Sequence, residues 1–351
     1  MHSRKIKVLH LLSSDRFSGA ENVVIQIINM FNNDNIDMAY TSKDGPIREA
    51  LEKEKINFYP LDKFNIKDVS NVINEFEPDI IHAHDVSASI IASFFSKNAQ
   101  IISHMHVNHE NMSKTNLKTL LYLSRSHKFK HVFWVSNSAF SKYIFKNKIS
   151  HKSSVLYNVI DYHKLILESE KDLEKYKYDV VYLGRLSYQK NPERMINVLT
   201  KVIDKKRNLR VAVIGTGDLS DNIKQLVLNN GIQENVSFLG FQNNPFKILK
   251  NAQLMVMTSR YEGTPMCALE AMALGVPIVS TPTDGLADII QDGITGYLSE
   301  DDETLAERIL NIITSDKERQ RLSINSIVQF NEINNINDYH EKLFQIYTLE
   351  S

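Results

Sequence analysis

The sequence predicts an α/β chain built on two doubly wound parallel sheets, and three observations carry that prediction. Short apolar runs of strand length alternate with amphipathic stretches of helix length, the pattern of parallel strands buried on both faces. The chain has 351 residues. A single domain typically spans ~100 to 200, so two cores are expected. Glycines and charged residues gather just after the apolar runs, at the strand ends where such sheets bind ligands.

In chain order, Lys7–Leu12 (KVLHLL) reads as the first strand. SGAE at Ser18–Glu21 opens a helix to about Asn32. Gly19 at its start lets backbone approach an anionic group closely. Pro78–His84 (PDIIHAH) and Gln100–His104 (QIISH, continuing as Met105 and His106) are further strands. They carry two H-x-H pairs, His82/His84 and His104/His106. Zinc sites need three or four ligands, and no cysteine or acidic partner lies nearby at metal spacing, so no metal is expected. A structural histidine pair at a strand end stays open beside a chemical role. YNVID at Tyr157–Asp161 ends a first domain, 1–161, and the charged segment 162–178 reads as a linker.

The second domain, 179–323, starts with the strand Asp179–Leu183 (DVVYL) and the loop GRLSYQKN, Gly184–Asn191. Arg185 and Lys190 fall in that loop, before a helix over Glu193–Ile203. Two cations at a strand's carboxyl end suit a diphosphate, since arginine can grip two oxygens at once. A solvated basic loop is the bland alternative, and the position between strand and helix favours function. Gly215 and Gly217 follow the strand RVAVI and are a weak signal alone, as fitting for a tight turn as for a ligand loop. A strand over 236–239 ends at Gly240 and Phe241, a short helix covers about Pro245–Asn251, and a strand at 254–258 follows.

The most informative stretch is Ser259–Leu298, SRYEGTPMCALEAMALGVPIVSTPTDGLADIIQDGITGYL. Thr264 suits a helix N-cap and Pro265 the first helical position, with Met266 following. Glu262 and Gly263 then lie in the preceding loop, and Glu270 sits nearly two turns inside the helix. Gly275 ends it, with Pro277 beyond; Ile278–Ser280 form a short buried strand, and Gly285 follows. A glycine-led helix N-terminus binds phosphate. A carboxylate further along accepts hydrogen bonds from hydroxyls. A nucleotide sugar has both parts.

This layout resembles the E-x7-E signature of retaining glycosyltransferases of the GT-B fold, in particular the family 4 group, and Arg185 and Lys190, five positions apart, resemble that family's GR…K diphosphate clamp. The resemblance implies two Rossmann-like domains facing a central cleft, with a last helix of the tail 324–351 crossing back to the first domain. It implies that Glu262 faces the transferred sugar, Glu270 holds the ribose hydroxyls, and Arg185 and Lys190 clamp the diphosphate. Backbone groups at Gly263, Thr264, Pro265 and Met266 would line the donor. So would Gly19, Gly215, Gly240 and Phe241. Relatives usually carry two glycines where this chain has Ser18 and Gly19. A histidine after the first-domain strand would contact the sugar; His106 is favoured and His104 competes. The implied reaction moves a hexose-type sugar, UDP-linked, to an acceptor hydroxyl with retention, without metal or other cofactor. The acceptor would be lipid-linked or glycan, in capsule, exopolysaccharide or other surface-glycan assembly. Two rivals are a catalytically inactive nucleotide-sugar-binding subunit and a GT-B sugar-nucleotide epimerase.

The net charge of −1 carries no global nucleic-acid signal, and nucleic acid is not an expected partner. Cys267, the one cysteine, excludes an internal disulfide and suits a reducing cytoplasm. Its place within the helix favours packing over nucleophilic chemistry. No apolar run approaches the ~20 residues of a membrane span. Lys97, Lys114, Lys118, Arg125, Lys128, Lys130, Lys142, Lys146, Lys148 and Lys152 face a single acid, Glu110, in one window. Leu117, Leu120, Leu121 and Leu123 lie among them. A basic helix with an apolar face rests on anionic lipid, so a peripheral place at the inner face of the plasma membrane is expected. The plain alternative is a core helix with a solvated basic face.

Overall fold

The computed structural model describes residues 4–106, 110–171 and 176–349. The chain divides into two compact units, 1–158 with 336–351, and 159–335.

The first unit holds a seven-stranded sheet in the order β3-β2-β1-β4-β5-β6-β7. Its strands are β1 (Ile6–Leu11), β2 (Ile36–Lys43), β3 (Phe58–Leu61), β4 (Ile80–Ala83), β5 (Gln100–Met105), β6 (Phe129–Trp134) and β7 (Ser153–Val155). All pairings are parallel. Most strand residues are buried because both faces of the sheet are covered, so side chains pack on one layer or the other. One face carries Leu9, Leu11, Ile81, Ala83, Ile101 and Met105 into an apolar core. Alternation puts His10, His82 and His104 on the opposite face.

The second unit repeats the plan with β8 (Val180–Leu183), β9 (Val211–Ile214), β10 (Val236–Gly240), β11 (Leu254–Met257), β12 (Ile278–Ser280) and β13 (Gly296–Leu298). Their order is β10-β9-β8-β11-β12-β13, again parallel throughout. Both sheets therefore reverse direction of growth once, between β1 and β4 and between β8 and β11. Ligands in such sheets bind at that switch point, outside the carboxyl ends of the strands.

Two expected boundaries move. The segment 162–178 includes the helix Tyr162–Glu170, which belongs to the second unit: Asn244 donates to the Glu168 carbonyl at 2.7 Å, and Lys250 pairs with Glu170 at 3.1 Å. The helix Asp316–Ile333 runs unbroken through the expected edge at 323, because Leu322, Ser326 and Phe330 stay buried along one face. The last helix, Ile336–Thr348, belongs to the first unit, where Tyr347 meets His82 at 2.7 Å and His340 meets Asp34 at 2.7 Å.

Candidate functional site

The second unit assembles its site across the switch point. After β8 the chain turns through Gly184 and Arg185. The Tyr182 hydroxyl donates to the Arg185 carbonyl at 2.9 Å and fixes that turn. Arg185 itself is exposed, and its guanidinium makes no ion pair among the described residues. The chain then forms a single turn, Tyr188–Lys190, and Asn191 adopts a left-handed φ of 50° so that Pro192 can begin the helix Pro192–Lys205. Asparagine tolerates that conformation better than most residues.

After β11 comes the loop Thr258–Gly263. It is stapled to the Tyr188–Asn191 turn. Thr258 Oγ1 donates to the Asn191 carbonyl at 2.9 Å, Arg260 Nη2 to Asn191 Oδ1 at 2.8 Å, and the Arg260 backbone N–H to the Gln189 carbonyl at 2.8 Å. The Arg260 guanidinium also lies over the Tyr188 ring, 4.3 Å from its centre. These ties bring Lys190 to Glu262: Nζ donates to Oε1 at 2.6 Å, and Ser259 Oγ donates to the same oxygen at 2.6 Å. Burial alone would lower the Lys190 pKa, but the adjoining Glu262 carboxylate outweighs it and the pKa is raised. Two oppositely charged groups thus hold each other at a buried edge.

The helix Met266–Ala273 starts one residue later than Thr264 as N-cap would place it. Pro265 is extended (φ −71°, ψ 122°) and takes the cap position. The helix ends at Leu274, followed by Gly275 at φ +68°, with the Val276 N–H donating to the Ala271 carbonyl at 2.8 Å. Glu270 is buried inside the helix, and burial lifts its carboxyl to about 7. Cys267 is partly buried, with its thiol pushed up to about 12 chiefly by burial, which fits packing rather than nucleophilic use.

Gly285 explains itself here. A Cβ at that position would stand 1.1 Å from the Gly263 carbonyl oxygen, so only glycine lets the helix Asp284–Ile289 start against the Glu262–Thr264 segment. Gly215 and Gly217 serve a similar purpose. Their Cβ positions would fall 2.1 Å from the Gly184 oxygen and 2.2 Å from the Leu186 oxygen. They are glycines because a neighbouring loop crowds them. Gly215 also holds a hydrogen bond from its N–H to the Gly240 carbonyl at 2.7 Å, which seats Gly240 (φ +67°) and the exposed Phe241 beside it. Arg185, Lys190, Glu262 and the Gly263–Met266 segment therefore lie on loops at adjacent strand ends. Gly215 supports that arrangement from behind. Ser259, Arg260 and Tyr182 were not singled out in the sequence; Ser259 three residues before Glu262 was the only local signal.

The first unit places the remaining expected residues. Gly19 opens the helix Gly19–Met30, with open space where a Cβ would lie. The Ser18 hydroxyl bonds the Glu21 carboxylate instead of capping the helix. His104 is fully buried on β5, and His106 follows the strand's end. His106 Nε2 meets His84 Nδ1 at 2.9 Å, whereas neither ring nitrogen of His104 has a partner among the described residues. Three-histidine groups that could hold a metal also occur here, His10/His82/His84 and His84/His104/His106.

Residues 166–329, most of the second unit, match the family model of glycosyl transferases group 1. The chain is 30% identical over 235 residues to an uncharacterized glycosyltransferase of Methanocaldococcus jannaschii, covering 61% of this chain and 58% of that protein. It is 30% identical over 154 residues to the N-acetyl-alpha-D-glucosaminyl L-malate synthase of Bacillus anthracis, covering 43% and 38%. The aligned stretches thus span less than two thirds of each relative. In structure the chain resembles Anabaena HepE, solved in complex with UDP and glucose and with UDP-glucose. The TM-score is 0.84 at 18% identity, over 97% of this chain and 98% of that one. The fold is GT-B.

Proposed function

We propose that the protein is a retaining glycosyltransferase that moves a hexose-type sugar from a UDP-linked donor to an acceptor hydroxyl. The carrying observation is the Lys190–Glu262 pair at the switch point, beside the exposed Arg185 and the first turn of the Met266–Ala273 helix. A donor can exchange that pair for two better ones. Its diphosphate takes the Lys190 ammonium, Arg185 and the helix N–H groups, and its sugar hydroxyls take Glu262. Glu270 suits the ribose hydroxyls. HepE bound to UDP and to UDP-glucose supports the nucleotide.

In the step itself the bond from the sugar's anomeric carbon to the diphosphate oxygen breaks. A bond to the acceptor oxygen forms on the same face, and the acceptor proton passes to the departing phosphate. Lys190, Arg185 and the helix N–H groups stabilise the charge that develops on the diphosphate, the interaction that lowers such barriers most. Glu262 orients the sugar and forms no covalent bond to it. No metal is required, since fixed cations and a helix end meet the leaving group. His106 stands as the proposed sugar contact. The alpha-linked glucosaminyl product named for the Bacillus anthracis relative is what retention gives from an alpha-linked donor.

The helix Leu117–Ser126 supports a lipid-linked acceptor at an anionic membrane, at the cytoplasmic face, with surface-glycan assembly as the setting. Leu117 is 82% exposed, and Leu120 and Leu121 are exposed beside it, among Lys114, Lys118 and Lys128. These leucines do not face a core. No helix among the described residues is long and apolar enough to cross a membrane.

A donor screen tests the reading: release of UDP or GDP from a panel of nucleotide sugars, with and without short-chain lipid-diphosphate sugars. Release from one donor that rises with acceptor is expected. Silence across the panel, with no nucleotide binding by calorimetry, would overturn it in favour of a binding subunit. Interconversion of donors without acceptor would instead indicate an epimerase.

A further inference from the structure

Five histidines share one face of the first unit's sheet. His10 lies on β1, His82 on β4 with His84 just beyond it, and His104 on β5 with His106 just beyond it. All five are buried. Their rings overlap within each strand: His82 and His84, and His104 and His106, stand 4.2 Å apart and 29° from parallel. Between strands, three of them are joined end to end. His10 Nδ1 meets His84 Nε2 at 2.9 Å, and His84 Nδ1 meets His106 Nε2 at 2.9 Å.

A neutral imidazole has one N–H and one bare nitrogen. Burial keeps all three rings neutral, holding His10 and His106 at about 3 and His84 well below its ordinary value. His84 uses both nitrogens, so it must donate through one and accept through the other. The chain therefore runs one way, and its two ends are complementary: of His10 Nε2 and His106 Nδ1, one carries a proton and the other a lone pair. Among the described residues, both ends are buried without a partner. An orphaned buried N–H is less tolerated than an orphaned acceptor. His10 lies within β1 and is wholly buried, whereas His106 lies past the end of β5, where the ring keeps 8% exposure although Nδ1 itself is covered. The proton belongs at the end where a ligand can accept it.

We infer that His10 donates to His84 and His84 to His106, fixing His106 as the Nδ1–H tautomer, a hydrogen-bond donor for a ligand hydroxyl oxygen. His84 and His10 are then positioning residues, and His106 holds no lone pair toward the ligand with which to act as a base. The ligand's identity as a sugar rests on the reading proposed above; the tautomer does not. Metal binding fits the geometry less well. A metal lies in the plane of each ring that binds it, and overlapping near-parallel rings do not aim their lone pairs at one point. Both His84 nitrogens are also already engaged.

The test is long-range proton–nitrogen correlation NMR on the full chain labelled with 15N-histidine, at neutral pH, which distinguishes protonated from bare ring nitrogens. The expected spectrum has His106 protonated on Nδ1 and bare on Nε2, with the same pattern in His84 and His10. His84→Leu removes the donor and should shift His106 toward the Nε2–H form. His84→Asn keeps an amide donor near the Nδ1 position and should preserve the wild-type pattern. A proton on His106 Nε2 in the wild type overturns the inference. So does a His106 pattern unmoved by His84→Leu, or stoichiometric zinc or nickel in the purified chain by elemental analysis. If His84→Leu does not fold, the wild-type spectrum decides alone. None of these readouts needs turnover, so the expected tautomer in a chain that turns over no donor would remove the transferase reading and leave the chain of imidazoles standing.

Discussion

Glu262 is buried and Lys190 largely so, its side chain 18% exposed, and removing one strands the other's charge. Breaking such a pair costs about 3–5 kcal/mol. Lys190→Ala should therefore lower stability by about 3 kcal/mol in chemical denaturation, and adding Glu262→Gln should recover most of it. Arg185 is exposed and has no ion pair among the described residues. Arg185→Ala should leave the denaturation midpoint within about 0.5 kcal/mol while lowering kcat/KM by about 10²–10³. Equal stability losses for both single variants would contradict this division of roles. Glu270 gives a pH signature. Burial lifts its carboxyl to about 7, and on the proposed reading, accepting ribose hydroxyls would favour the ionised form. UDP affinity should rise with pH up to about 7 and level off above it, and Glu270→Gln should flatten that dependence in calorimetry. These four residues were legible in the sequence because each sits at a fixed offset from a glycine, a proline or a strand end. Ser259, Tyr182 and Arg260 were not, because their roles arise only when two loops distant in sequence are laid together. Gly215 was legible as a special position, but its reason, a carbonyl from the neighbouring loop, was not.

At the scale of elements, the first turn of the helix Asp284–Ile289 after β12 and the loop after β11 are pressed together at Gly285 and Gly263. Gly285→Ala places a carbon where the Gly263 oxygen stands, so the Glu262 segment must move. Donor affinity should fall at least tenfold by calorimetry, although the substitution touches no ligand; unchanged affinity would show the loop yields freely. The helix Leu117–Ser126 illustrates what periodicity can and cannot say. Its apolar repeat was plain, but repeat alone does not say whether leucines face core or solvent. The structure buries Thr119, Tyr122 and Ser126 and leaves Leu117, Leu120 and Leu121 outside. Replacing Leu117 and Leu121 with Glu should abolish cosedimentation with vesicles containing anionic lipid. Release of nucleotide in the presence of a water-soluble acceptor should stay unchanged. Wild-type binding should weaken as salt rises, since the flanking lysines act through a screened attraction.

At the scale of the molecule, the two units should respond to mild acid in opposite directions. The sequence outlined two α/β halves but misplaced their edges, because the helices Tyr162–Glu170 and Asp316–Ile333 show no change of composition where one unit gives way to the other. The histidine face was equally hidden: the two H-x-H pairs were visible, but His10 joins them only because β1 pairs with β4. In the unfolded chain those histidines protonate below about 6.5. In the folded unit burial holds them neutral, down to about 3 for His10 and His106. The unfolded state therefore binds more protons as pH falls from about 6.5, and each histidine withdraws up to about 1.4 kcal/mol of stability per pH unit. Glu270 acts in reverse. Its unfolded carboxyl ionises near 4.5 and its folded one near 7, so stability of the second unit falls as pH rises between those values and is regained on acidification. Glu318, held at about 2 chiefly by Arg321, changes that balance only below its ordinary value of 4.5. Between pH 6.5 and 5, acid should thus loosen the first unit while relieving the second. Amide hydrogen exchange at pH 7.5 and pH 5.5, corrected for intrinsic rates, should show protection lost in β1, β4 and β5 and retained in β8 and β11. Loss appearing first in β8 and β11 would mean that the buried histidines find protons, or partners, in the folded state.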